Sequence, residues 1–295
     1  KAVRAMSVLD LSGEELLTWR KKQLARGGRK VDLDWLLDIG GGLASSALQK
    51  LLVDQNRIVS IDQPLEKLES IWQKHLSDST PLQYLTGRCP WRDIELEVDS
   101  SALIPRQETE LLVDFGLQKH GKKNFGYWAD LGTGSGAIAV ALARYFPHWS
   151  GHAVDCSSKA LNLAERNLKK LAENSNWQTH LGSWWEPLTP WKGDLDLVLV
   201  NPPYIPDSIL YELEPVVIDH EPLLALCGGE DGLSSLREVI SGSRTFLASE
   251  GWLLLEHHHD QSEAVIALMK KHGLIEVTYE VDLQGIRRFA IGRNP

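Results

Sequence analysis

Three short segments of this 295-residue sequence carry residue types that chemistry can use. The sharpest is Asn201-Pro202-Pro203-Tyr204, directly after the nearly all-apolar run Leu195–Val200. Two consecutive prolines remove two backbone donors and fix φ, so the chain is rigid there. The carbonyls of the segment are left without strand partners and are available to a cleft. An Asn side-chain oxygen and a proline carbonyl together accept both hydrogens of a planar NH2 group. Held this way, the nitrogen directs its lone-pair density at an electrophilic methyl. Tyr204 is expected to stack on, or wall in, the flat group. Hydride transfer has no use for this arrangement. Methyl transfer to an amide, or to an exocyclic base amine, does.

The second segment is Asp130-Leu131-Gly132-Thr133-Gly134-Ser135-Gly136, between an expected strand, Tyr127–Leu131, and an expected helix, Ala137–Tyr145. Glycines without a Cβ let the backbone turn sharply and approach a ligand closely. Gly132, Gly134 and Ala137 also satisfy the dinucleotide pattern G-x-G-x-x-G/A, so the loop alone leaves the cofactor open. The third feature is Asp155, about 20 residues on, at the end of the expected strand His152–Asp155. An acid there can accept both hydroxyls of an adenosyl ribose. It can also cap the next helix. The run Glu256-His257-His258-His259-Asp260 looks metal-like. Consecutive residues leaving a strand point in opposite directions, so no metal site is expected there. The sequence has no G-x-S-x-G elbow, no G-x-x-x-x-G-K-[ST] phosphate loop and no H-E-x-x-H.

The elements that must position these residues fall into two patterns. From about Leu11 to Leu85, apolar residues recur at gaps of three and four: Leu16, Leu17 and Trp19; Leu33, Leu36 and Leu37; Leu48, Leu51 and Leu52; Leu65, Leu68, Ile71 and Trp72. This spacing predicts short helices. Ser12 with Glu15 predicts a capping box, and Asp62 with Pro64 another helix start. Strict alternation over Asp93–Asp99 predicts a strand, with turns at Gly87, Pro90 and Pro105. After Glu108–Lys119, read as a helix, strands and helices alternate. The expected helices are Ala137–Tyr145, Ser158–Leu171, Leu233–Leu247 and Ser262–His272. Leu161, Ala164, Leu168 and Leu171 mark the buried face of the second. The expected strands include Thr179–Leu181, Leu195–Val200, Trp252–Glu256 and a closing antiparallel pair, Ile275–Val281 with Arg287–Ile291. This alternation predicts an α/β domain with a doubly wound sheet. The expected division is a helical docking domain over 1–86, a β-hairpin linker over 87–107 and a catalytic domain over 108–295.

Composition narrows the function. The net charge is −9, from 31 Lys and Arg against 40 Asp and Glu, and so lacks the basic footprint of a general nucleic-acid binder. No direct nucleic-acid partner and no membrane are expected, since the apolar runs fall well short of the ~18 residues of a span. The first 30 residues carry both charge signs throughout and do not read as a targeting segment. Residues 1–5, ahead of Met6, carry no weight. Cys89, Cys156 and Cys227 are widely spaced, with no C-x-x-C, which fits a reducing, cytoplasmic setting without structural zinc.

With DLGTGSG, Asp155 and NPPYIP in this order, the sequence resembles the class I methyltransferases that act on planar NH2 groups. Within them it resembles the release-factor glutamine methyltransferases, the HemK-like family. Pro81-Leu82-Gln83-Tyr84-Leu85-Thr86-Gly87 is similar to the family's linker motif. Leu103-Ile104-Pro105-Arg106-Gln107-Glu108-Thr109-Glu110 is similar to its L-I-P-R-P-x-T-E motif. Glu221-Pro222-Leu223-Leu224-Ala225-Leu226, with Gly228–Leu233, is similar to its E-P-x-x-A-L segment. The match runs roughly from Pro81 to Gly292. Gln107 departs from it by replacing a proline, and His258 and His259 by replacing small or apolar residues.

The resemblance implies a seven-stranded methyltransferase sheet with an N-terminal helical bundle and a hairpin linker. The implied cofactor is S-adenosyl-L-methionine. Gly132, Thr133, Gly134, Ser135 and Gly136 would line its methionine and ribose side, and Asp155 would hold the ribose. Trp184 would lie beside the adenine, with Trp185 one register step away. Asn201 would contact cofactor and substrate, with Pro202, Pro203 and Tyr204 completing the catalytic segment. The implied partner is a class I peptide-chain release factor, through the glutamine of its Gly-Gly-Gln loop. A glutamine methyltransferase acting on a ribosomal protein shares the same motif. An amino-methyltransferase on a nucleic-acid base is disfavoured by the charge. An NAD-dependent oxidoreductase leaves Asn201–Tyr204 unexplained, and the intact loop, acid and NPPY argue against a non-catalytic adapter. An amide nitrogen is a poor nucleophile and a sulfonium is already activated, so the chemistry needs alignment and accepting oxygens more than a base.

Overall fold

Ser12 Oγ accepts the Glu15 N–H at 3.2 Å, and Glu15 Oε2 accepts the Ser12 N–H at 3.0 Å. The first helix, Gly13–Ala25, therefore starts at the expected capping box. Helices Lys30–Trp35, Ser45–Val53, Leu65–Asp78 and Leu82–Thr86 come next. Their apolar faces bury Leu16, Leu33, Leu48, Leu51, Leu68 and Trp72 in one core. This computed structural model describes residues 8–119 and 122–295, so residues 1–5 lie outside the described residues. By its contacts the chain divides into two units, Lys1–Arg88 and Cys89–Pro295.

The first unit is not purely helical, as its spacing had suggested. Strand β1, Leu9–Ser12, pairs antiparallel with β2, Ile58–Ile61. Ile58-Val59-Ser60-Ile61 is a β-branched run too short for a helix, with Ile61 fully buried and Ile58 largely exposed.

β3 (Arg88–Trp91), which starts at the last residue of the first unit, and β4 (Ile94–Glu97) form a two-stranded ribbon around Arg92 and Asp93. Pro90, expected in a turn, lies inside β3 and is exposed, where a missing N–H costs no ladder bond. The remaining strands are β5 (Tyr127–Leu131), β6 (Ser150–Asp155), β7 (Asn176–Leu181), β8 (Leu195–Val200), β9 (Leu247–Glu256), β10 (Ile275–Val281) and β11 (Arg287–Arg293). They form one seven-stranded sheet in the order β7-β6-β5-β8-β9-β11-β10. The five strands from β7 to β9 are parallel, and β11 pairs antiparallel with both β9 and β10. Central residues such as Trp128, Leu131, Val198, Val200 and Leu255 have no exposed surface, as a sheet covered on both faces requires. Among the described residues, no helix is long and apolar enough to cross a membrane, and the three cysteines are unpaired.

The helix Ser158–Leu171 departs from the expected apolar face at Asn167, which is fully buried, while Leu171 is only partly so. Asn167 Nδ2 donates to the carbonyls of Glu97 at 2.9 Å and Ser135 at 2.8 Å. Its Oδ1 accepts the Glu97 N–H at 2.8 Å. One side chain thus ties the β4 ribbon to the glycine loop after β5. Asn167→Leu, similar in size, leaves three backbone groups unpaired and should cost about 2–4 kcal/mol. The expected fall in Tm is roughly 5–10 °C, measured by circular dichroism. An unchanged Tm would show that these groups find other partners.

Candidate functional site

The carboxyl ends of four strands stand level. Leu131 pairs with Val154 and Val200, and Val200 pairs with Leu255. The next residues, Gly132, Asp155, Asn201 and Glu256, therefore lie in a row along one edge of the sheet. After β5 the chain winds outward through β6 and β7, then crosses back to β8 on the other side of β5. Such a reversal opens a crevice at the carboxyl edge. A cavity of about 320 Å³ lies there. Gly132, Thr133, Gly134, Ser135, Asp155, Trp184, Asn201 and Pro203 line it, together with Thr109 and Arg106. Gly136, Pro202 and Tyr204 do not.

The glycine loop is held from beneath. The Gly132 and Thr133 N–H groups both donate to the Val154 carbonyl, at 2.8 and 2.9 Å. Gly132 (φ 74°) and Gly134 (φ 56°) occupy the left-handed region that glycine adopts without strain. Gly136 serves packing: a Cβ there would sit 3.0 Å from the backbone of Ala164 on the next helix. Asp130 is fully buried and accepts from Thr133 Oγ1 at 2.7 Å and from the Ala139 N–H at 3.1 Å. Burial pushes its carboxyl up to about 7, against those two donors. Sequence reasoning placed no structural role on Asp130, although its position at the head of the glycine run was the available signal.

Asp155 Oδ2 accepts the Gly134 N–H and Oδ1 the Ser157 N–H, each at 2.9 Å. The helix cap is not Asp155 but Ser157, whose Oγ accepts the Ala160 N–H at 3.3 Å. Asp155 stops two residues short of the helix and faces the cavity instead. Burial raises its carboxyl above the usual range, and the N–H donors partly offset this.

The paired tryptophans part company. Trp185 is buried, its Nε1 donates to the Val239 carbonyl at 2.9 Å, and its ring stacks on Phe246 at 5.1 Å between centroids. Trp184, with φ 45°, lines the cavity while packing on the edge of the same core; its ring lies 3.3 Å from where a Gly132 Cβ would sit.

Asn201 meets the cavity with its Nδ2 3.4 Å from Thr109 Oγ1, and its Oδ1 has no partner among the described residues. Among the described residues and outside the sheet ladders, no backbone N–H donates to the carbonyls of Asn201, Pro202 or Pro203. Tyr204 corrects the expectation of a stacking wall. Its hydroxyl donates to Glu256 Oε1 at 3.1 Å, and its ring packs on the sheet core rather than on the cavity. Burial beside the Glu256 carboxylate raises the phenol well above its ordinary value. Glu256 also accepts from Thr109 Oγ1 at 2.7 Å, and burial pushes its carboxyl up to about 7. Thr109 and Glu256 were not among the site residues read from the sequence.

Two segments quoted for the family resemblance meet in one ion pair. Arg106 Nη2 donates to Glu221 Oε1 at 2.7 Å, and the Ile104 N–H to Glu221 Oε2 at 3.0 Å, across 115 residues of chain. Further out, His258, His259 and Asp260 were expected to point apart. The chain has left the strand and turns there, with the Gln261 N–H bonded to the His258 carbonyl at 3.0 Å. Their potential ligand atoms therefore fall within 4.8 Å, and His258 Nδ1 already bonds Asp260 Oδ1 at 2.7 Å.

Comparison with known proteins agrees with this architecture. The family model described as "Methyltransferase small domain" matches residues 107–210. A release factor glutamine methyltransferase of Prochlorococcus marinus is 59% identical over 286 residues, covering 96% of this chain and 98% of its own. One of Synechocystis is 39% identical, covering 96% of this chain and 97% of its own. Among solved structures, the hMettl16 catalytic domain in complex with an RNA hairpin superposes with a TM-score of 0.52 at 15% identity. It covers 81% of this chain and 84% of its own, a likeness of fold alone.

The paired tryptophans generate a test. Trp185→Ala should destabilise the protein by about 3–5 kcal/mol, as truncation of a buried indole does. Trp184→Ala should cost clearly less, because Trp184 is only half-buried and packs on the edge of the sheet core while lining the cavity. Thermal unfolding of the two variants checks this, and equal losses would contradict the assignment.

Proposed function

The chain belongs to the release factor glutamine methyltransferase family, and from that membership we propose that it methylates N5 of the glutamine in the Gly-Gly-Gln motif of class I peptide-chain release factors. The methyl donor is S-adenosyl-L-methionine. The observation that carries the reading is the unpartnered Oδ1 of Asn201 at the cavity, next to proline carbonyls without backbone donors. The cavity also fits the donor. Its volume of about 320 Å³ is that of a small-molecule site, with an aromatic wall at Trp184, a glycine floor and one carboxylate, Asp155.

When bound, S-adenosyl-L-methionine supplies a methyl group on a sulfonium, which needs no further activation. The protein's task is then to bind, orient and exclude water. Asp155 holds the ribose hydroxyls, and its bonds to Gly134 and Ser157 keep the carboxylate from turning away. Gly132–Ser135 admit the donor close to the backbone, and Trp184 covers its flat base. Asn201 Oδ1, with a carbonyl of the adjoining proline segment, would accept the two hydrogens of the glutamine amide and so orient its nitrogen for transfer. Rigid prolines keep those acceptors in place at little entropic cost. No general base is assigned; the proton leaves to solvent after transfer, when the nitrogen is cationic. The helical first unit carries none of these residues and is assigned the docking of the protein substrate.

Two substitutions separate binding from turnover. Asp155→Ala should raise the cofactor KM by about 10- to 100-fold with kcat largely kept, because a ribose contact made equally in ground and transition states is uniform binding. A collapse of kcat at unchanged KM would reassign Asp155. Asn201→Ala should lower kcat by about 10²-fold or more, judged by the loss of one preorganised polar group. Asn201→Asp keeps an accepting oxygen and should retain more activity than the alanine variant. The readout is mass spectrometry of release factor incubated with protein and labelled donor. A release factor left unmodified by the wild-type protein rejects the proposal.

A further inference from the structure

An asparagine amide has two ends of nearly equal size, one accepting and one donating. Shape alone does not choose between them. At Asn201 the choice decides whether the site offers an oxygen to a substrate NH2 or opposes it with donors. Something next to the amide must select its orientation.

The row behind Asn201 supplies the selector. Glu256, at the end of β9, is 2% exposed and is held by two hydroxyls, Thr109 at 2.7 Å and Tyr204 at 3.1 Å. A carboxylate only accepts hydrogen bonds, so the single Thr109 proton is committed to it. The Thr109 oxygen can then only accept, and the group facing it at 3.4 Å is Asn201 Nδ2. The distance is long for a hydrogen bond, as catalytic contacts often are before substrate binds. We infer that Thr109 and Glu256 are positioning residues that fix the Asn201 amide with its NH2 turned inward and its oxygen toward the substrate.

The inference rests on the proposed methyl transfer. It gives separate tasks to residues that the sequence leaves adjacent or far apart. Tyr204 holds the second carboxylate oxygen and keeps Glu256 from turning. Thr109, 147 residues away from Glu256, carries the selection to Asn201. Burial, with Glu108, raises the Glu256 carboxyl to about 7, against the Thr109 and Tyr204 hydroxyls and Arg288 on β11. Assays are therefore run well above that value, where the carboxylate predominates.

The test is a double-mutant cycle on kcat for release-factor methylation at saturating donor, with S-adenosylhomocysteine affinity measured by calorimetry. Thr109→Val should lower kcat by about 10-fold or more through misorientation of Asn201. Cofactor affinity should fall much less than kcat, because Thr109 meets the cavity at its Asn201 end. Thr109→Ser should restore most of the rate. In an Asn201→Ala background, Thr109→Val should have no further effect, because there is no amide left to orient. Glu256→Gln, whose amide can donate to Thr109 and release its proton, should behave like Thr109→Val and serves if that variant fails to fold. Independent, multiplying losses in the double variant overturn the inference, since a purely structural role predicts them. So does a Thr109→Val protein of wild-type rate beside an active wild type. A wild type that leaves release factor unmethylated overturns the proposed methyl transfer and this inference together.

Discussion

The level ends of the central strands are the constraint on which the site depends. A parallel strand buried on both sides must pair each backbone group with a neighbour. The ladders from β7 to β9 therefore fix where each strand stops relative to the next. Leu131, Val154, Val200 and Leu255 share one level, and no loop flexibility is needed to assemble the residues just beyond them. Gly132, Asp155, Asn201 and Glu256 arrive side by side because backbone hydrogen bonds, not side-chain attraction, bring them there.

Charge is then placed along this edge at a cost that local donors offset. Asp130 and Glu256 are buried, and desolvation pushes both carboxyls to about 7. Each is stabilised by a threonine hydroxyl, Thr133 for the first and Thr109 for the second. The same bonds that make the burial tolerable orient the groups that face the cavity. Thr133 fixes the glycine loop and Thr109 faces Asn201. Asp155, less buried, takes two backbone N–H bonds and still presents its carboxylate to open space.

Segments remote in sequence brace this edge from outside. Asn167 ties the β4 ribbon to Ser135, and Glu221 ties Ile104 and Arg106 to the start of the segment whose Pro222, Leu224 and Ala225 line the cavity. Both are buried polar groups whose bonds are all to specific, distant partners. A buried amide or carboxylate of this kind is stable only where its partners are complete. This gives the cavity rim one arrangement rather than several.

Much of the frame was legible in the residues. Tyr127–Leu131, Ala137–Tyr145, Ser158–Leu171 and Leu195–Val200 have the bounds their periodicity predicts, because alternation and helical spacing are local signals. The glycine loop, Asp155 and Asn201 were legible for the same reason: each lies at the end of a strand, and strand ends in such sheets face the ligand. The β1–β2 pair was not, since it joins runs about 50 residues apart that are individually too short to signal a strand. Nor could the sequence tell Trp184 from Trp185, or place Gly136 against a helix and Tyr204 against Glu256. The amino-acid order by itself determined which elements form and which residues stand at their ends. Only the tertiary structure decided where side chains one or two positions apart point, and which buried carboxylate each hydroxyl serves, because those outcomes depend on partners that chain order does not bring near.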